Sequence, residues 1–126
     1  MKVRPMHSQP EFGDIAHLGH VQLLTPHWEA SLAFFLDVLG LHESGRRGDS
    51  VFLRAWGDYE RFTLELTRAT TSGVGHVAFR ARSASVLDQL VRTLESHDVH
   101  GEWRKSDFGH GAAFRFRSPD GHQIEL

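Results

Sequence analysis

Leu18-Gly19-His20-Val21-Gln22-Leu23 is the stretch that decides the reading of this chain. After its glycine the segment alternates, so a β-strand puts His20 and Gln22 on one face and Val21 and Leu23 on the other. Gly19-His20-Val21 recurs 56 residues later as Gly75-His76-Val77, and Leu64-Glu65-Leu66 recurs 60 residues later as Ile124-Glu125-Leu126. One tripeptide match is cheap by chance. Two motifs in the same order, 45 residues from His20 to Glu65 and 49 from His76 to Glu125, indicate an internal repeat.

The segments between the motifs repeat as well. In the first half, Thr25-Pro26 reads as a helix N-cap followed by proline at the first helical position. Leu32, Phe35 and Leu39 recur at helical spacing, Phe34 and Phe35 are expected in the core, and Gly40 suits a left-handed helix end. Ser50 to Trp56 and Arg61 to Thr67 read as strands joined by a turn at Gly57-Asp58, and Arg46-Arg47 as a solvated loop. Thr70 to Gly73, small and polar, joins the halves. In the second half, Gly75 to Arg80 is a strand, and Ser85 with Asp88 resembles a capping box. Leu87, Leu90, Val91 and Leu94 form the apolar stripe of a helix. His100 to Lys105, Ala112 to Arg117 and His122 to Leu126 are the later strands. Asp107 to Gly111 is a glycine-rich loop and Pro119-Asp120-Gly121 a turn.

The 126 residues suffice for one domain. With 40% hydrophobic and 24% charged residues, the balance is that of a folded globule. A net charge of -2 gives no electrostatic footprint for nucleic acid or an anionic membrane. The apolar run Leu32 to Leu36 is too short to span a bilayer, and Met1 to Phe12 lacks the apolar core of a signal peptide. A cytoplasmic location is therefore expected. Cysteine is absent, which excludes disulfides and thiolate metal ligands, whereas histidine occurs ten times.

Alternation decides which of those histidines matter. His20 faces away from Val21 and Leu23, and His76 from Val77 and Phe79. Glu65 faces away from Leu64 and Leu66, and Glu125 from Ile124 and Leu126. All four polar residues fall on the faces the helices leave free. If the half-sheets curve toward each other, those faces line one cleft. Taken singly, each residue reads more readily as an ordinary sheet residue; converging in a cleft at matched repeat positions, they need a compensating charge, and a divalent ion supplies it. Two His and one Glu suit non-haem Fe(II) chemistry, and adding Glu65 would suit Ni, Zn, Co or Mn as a Lewis acid. The other histidines read as surface residues, with His110 singled out because its glycine-rich loop could close the pocket.

Five blocks in order, Leu18 to Leu23, Phe35 to Leu41, Val51 to Gly57, Gly75 to Arg80 and Ser118 to Leu126, resemble the vicinal-oxygen-chelate superfamily of glyoxalases, bleomycin-resistance proteins and extradiol dioxygenases. Within it the chain is most similar to the N-terminal domain of catechol 2,3-dioxygenases. The resemblance implies an α+β fold of two βαβββ modules, residues 16–69 and 74–126, forming curved sheets around a cleft. They would make a single domain, 16–126, after a flexible arm, 1–15. It further implies His20, His76 and Glu125 as metal ligands, with Glu65 where glyoxalase I carries a fourth. Fe(II) or Mn(II) is the expected cofactor, or Ni(II) or Zn(II) if Glu65 also ligates. A small aromatic or other vicinal-oxygen substrate is expected, in a homodimer or as half of a two-domain chain. In such two-domain enzymes the iron normally sits in the C-terminal domain, so a structural or ligand-sequestering module and a glyoxalase-like or resistance-type enzyme stand as alternatives. No residue is identified as general acid or base.

Overall fold

The computed structural model describes residues 13–105 and 111–126. Each half follows the same course. The first comprises β1 (Ile15–Thr25), α1 (Trp28–Ala33), β2 (His42–Arg47), β3 (Ser50–Arg54) and β4 (Leu64–Arg68). The second comprises β5 (Gly73–Ala81), α2 (Ala84–Ser96), β6 (Glu102–Arg104), β7 (Ala113–Arg117) and β8 (Gln123–Glu125). All eight strands join one curved, open sheet in the order β2-β3-β4-β1-β5-β8-β7-β6. Read outward from the β1–β5 junction, the order is the same in both directions: first, fourth, third, second strand of each module. Within each module the first and fourth strands run parallel, β1 with β4 and β5 with β8. The two modules meet through the antiparallel pair β1–β5.

The register explains the sequence alternation. Leu53 pairs with Leu64, Leu64 with Val21, Val21 with Val77, Val77 with Ile124, and Ile124 with Phe116. This unbroken apolar row crosses the sheet on one face, because paired residues share a face and neighbours along a strand do not. Leu53, Leu66 and Val51 are completely buried there. Val86 and Val91 of α2 are also buried; of the expected stripe Val91 is buried, Leu87, Leu90 and Leu94 are half-buried, and Val86 joins them. The opposite face carries the polar residues of both motifs.

Local details depart from expectation in several places. The helix after β1 begins at Trp28 with His27 as N-cap; Thr25 instead accepts a hydrogen bond from the His27 amide at 3.0 Å. After one α-helical stretch the chain widens into a π-helical turn, Phe34–Val38, closed by Leu39 N–H to Phe34 C=O at 3.0 Å. Gly40 then takes φ +76°, the left-handed conformation that lets Leu41 N–H bond back to Phe35 C=O. The widened turn leaves Phe34, Val38 and Leu39 exposed, so Phe34 is not core. Arg46 and Arg47 lie in β2, not a loop: an edge strand of polar composition hides its period. Arg46 grips Glu43 with two hydrogen bonds, which hold the Glu43 carboxyl below its ordinary range. The cap of α2 is Ser83, accepting from Val86 N–H at 3.2 Å, two residues before the expected box. Ile15, assigned to an arm, already belongs to β1. The rest of that arm up to residue 12, and most of the glycine-rich loop including His110, lie outside the described residues.

Leu66→Ala should lower stability by about 2–5 kcal/mol in urea unfolding, since a completely buried side chain leaves a cavity. Val38→Ala, on the exposed turn, should stay within about 0.5 kcal/mol.

Candidate metal centre

The β1–β5 pair is built around Val21 opposite Val77, and on either side of it the register slips. In β1 the extra residue is Gly19, just before His20; in β5 it is Gly75, just before His76. The repeated glycines are thus matching β-bulges, which re-aim the side chain that follows them. Both imidazoles swing inward over the polar face of the sheet. His20 Nε2 and His76 Nε2 come to 2.8 Å, with ring planes at 85°. The two residues are 7% and 3% exposed.

Glu125 completes the group. It pairs with Ala78 on one side and Arg115 on the other, and its Oε2 lies 3.6 Å from His20 Nε2 and 3.7 Å from His76 Nε2. Its other oxygen, Oε1, accepts from Arg115 Nη2 at 2.9 Å. The carboxylate is 4% exposed, so this charge-assisted bond offsets a burial that would otherwise cost several kcal/mol.

The hydrogen-bond chain behind His76 fixes its tautomer. Gln22 Nε2 donates to Thr67 Oγ1 at 2.9 Å and to Glu65 Oε2 at 3.3 Å. Since a carboxylate only accepts, the amide nitrogen must face Glu65, which turns Gln22 Oε1 toward His76 Nδ1 at 3.0 Å. His76 Nδ1 therefore donates to Gln22, and in the neutral ring Nε2 presents a lone pair to the centre. Only a proton on His20 Nε2 or a cation can then lie between the two rings.

The donor set fits a divalent ion. Two imidazole nitrogens and one carboxylate oxygen lie within 4.8 Å of one another. Ligands in adjacent positions at about 2.1 Å from an ion sit about 3 Å apart, and the observed separations bracket that value. Two of the three donors are oriented by a partner behind them, as metal ligands generally are: His76 by Gln22, and Glu125 by Arg115. Beside the trio opens a cavity of about 370 Å³, lined by His20, Glu125, Phe62, Ala78 and Trp103 among others. Phe62 packs its ring 4.6 Å from that of His20.

Of the four residues expected to converge, the structure brings together His20, His76 and Glu125. Glu65 stands apart, its carboxylate accepting from Ser50 Oγ at 2.9 Å as well as from Gln22. Among the described residues, His17 pairs with Glu60 at 2.6 Å, His100 pairs with Asp98 on the surface, and His27 stands at the N-cap position of α1 through its backbone. Sequence reading placed Gln22 on the His20 face without giving it a role. Arg115 was missed, although its alternation with Phe114 and Phe116 marks it as polar-face.

The family model described as "Glyoxalase/Bleomycin resistance protein/Dioxygenase superfamily" matches residues 17–126. The chain is 43% identical over 113 residues to a metapyrocatechase of Geobacillus stearothermophilus, covering 90% of this chain and 35% of that protein. It is 39% identical over 115 residues to a manganese-dependent 2,3-dihydroxybiphenyl 1,2-dioxygenase of Geobacillus genomosp. 3, covering 90% and 36%. An extradiol ring-cleaving dioxygenase from B. fuscum superposes with TM-score 0.82 at 29% identity, over 89% of this chain and 32% of that one. The chain spans about a third of the length of these relatives.

Arg115→Ala should weaken divalent-metal affinity about 10–100-fold in calorimetric titration, because Glu125 loses the partner that aims it. Arg115→Lys should recover part of the loss. Glu43→Gln, on the far edge strand β2, should change nothing.

Proposed function

The chain belongs to the Glyoxalase/Bleomycin resistance protein/Dioxygenase superfamily, and from that premise we propose that it is the metal-binding domain of an extradiol-type dioxygenase acting on a catecholic aromatic. The observation that carries the reading is the buried His20–His76–Glu125 trio, with a cavity of about 370 Å³ opening beside His20 and Glu125. Two imidazoles and one carboxylate on one side of an ion are the ligand pattern of non-haem Fe(II) oxygenases, in which positions stay open for substrate. Fe(II) or Mn(II) is the proposed ion; the name of the manganese-dependent relative supports the second. A bound ion would supply a template and charge sink for two vicinal oxygens.

The residues of the chain divide the remaining work. His20 and His76 offer their Nε2 lone pairs, and Gln22 holds the His76 tautomer that presents one. Glu125 offers Oε2 while Arg115 holds Oε1. Phe62 and Trp103 give the cavity aromatic walls, which favour a flat ring. Ring opening of a catechol by O2 places both oxygen atoms in the product, so no external reductant is needed. A glyoxalase-like centre, with Ni(II) or Zn(II) on four protein ligands, would require Glu65, which is engaged with Gln22, Ser50 and Thr67. Exposed Phe34, Val38, Leu39, Trp56 and Tyr59 support assembly with a second copy or with another half of a longer chain. Among the described residues no helix is long and apolar enough to cross a membrane.

Protein loaded anaerobically with Fe(II) or Mn(II) and then given catechol in air should form a yellow ring-opened product. His20→Ala, His76→Ala and Glu125→Ala should each abolish both metal retention and the colour. Metal held by the trio with no ring opening of any catechol would contradict the dioxygenase reading.

A further inference from the structure

The two modules are related by a local two-fold through the Val21–Val77 pair, and the relation extends to the polar face. One row runs Phe52, Glu65, Gln22, His76 across β3, β4, β1 and β5. Its counterpart runs Arg115, Glu125, Ala78, His20 across β7, β8, β5 and β1. Glu65 and Glu125 therefore hold equivalent positions relative to the two imidazoles. Only Glu125 reaches them.

The difference lies in the residue between. Ala78 ends at Cβ, and Glu125 Oε2 passes over it to within 3.7 Å of both Nε2 atoms. At the matching position stands Gln22, whose amide fills that path. It holds Glu65 Oε2 with one end and His76 Nδ1 with the other. Ser50 Oγ, at 2.9 Å, anchors the same carboxylate oxygen on the far side. The amide has been given its room: a Cβ at Gly75 would collide with Gln22 Oε1.

We propose that Gln22 is a positioning residue that sets the ligand count of the centre, holding Glu65 out of the coordination sphere so that three protein ligands, and not four, face the ion. The proposal rests on the three-ligand centre described above and explains why it is three. In a six-coordinate ion, a vicinal diol occupies two positions, and a three-ligand set leaves one more for a small co-substrate. A second carboxylate would take that position. Gln22 thus separates oxygenase-type from Lewis-acid-type coordination within one scaffold, and the switch lies in the side chain at a single repeat position.

The test counts exchangeable waters on bound Mn(II), by line broadening of its electron paramagnetic resonance in oxygen-17 water. Wild type should show about three, and Gln22→Ala about two, because Glu65 enters as a ligand. Gln22→Ser is the second variant, should the alanine form not fold. Glu65→Gln in the Gln22→Ala background should restore about three waters. The same Glu65→Gln change should leave the count of the wild-type centre untouched. An unchanged count in a folded Gln22 variant, or a count in wild type that rises when Glu65 is replaced, overturns the proposal. Failure of the wild-type chain to bind Mn(II) at all would instead overturn the metal-centre reading on which it rests.

Discussion

The antiparallel pairing of β1 with β5, centred on Val21 opposite Val77, is the constraint from which the rest of the molecule follows. It joins two modules that each carry half of an incomplete sheet, so the apolar row continues from Leu53 to Phe116 without an edge in its middle. It also brings two histidines, 56 residues apart in sequence, to a single point. The bulges at Gly19 and Gly75 turn that proximity into a donor pair. Without the slip in register, the residues before and after each bulge would exchange faces, and the imidazoles would lose their common side.

Burial gives the site its chemical character. A carboxylate 4% exposed beside two imidazoles is costly unless each polar atom is spoken for. Arg115 satisfies one carboxylate oxygen, and Gln22 satisfies His76 Nδ1, which leaves Oε2 and two Nε2 atoms directed at one another. A cation between them would take all three as ligands, in place of the proton shared by the two rings. The supporting residues come from different modules: Gln22 from the first supports a ligand of the second, across the junction. The centre therefore belongs to neither repeat alone.

The sequence made the repeat, the module order and the inward faces legible, because period-2 alternation survives wherever one face is apolar. His20, His76 and Glu125 could be read from that pattern. Glu65 could not be separated from Glu125 by the same rule, since both occupy equivalent places; the distinction depends on Gln22 against Ala78, a difference in side-chain length that acts only after folding. Arg115 was hidden for a related reason, as its partner lies on the neighbouring strand. Strand β2 was missed because His42–Arg47 has no apolar face to betray its period. The helix after β1 shifted by two residues and widened into a π turn, where an exposed surface allowed Phe34 to leave the core.

The most direct examination of the account is a crystal soaked with Mn(II) and measured at a wavelength where manganese scatters anomalously. One anomalous peak is expected, at about 2.0–2.3 Å from His20 Nε2, His76 Nε2 and Glu125 Oε2 together. A peak elsewhere on the chain, or side chains of the trio that turn away from one another with the ion absent from between them, would contradict it.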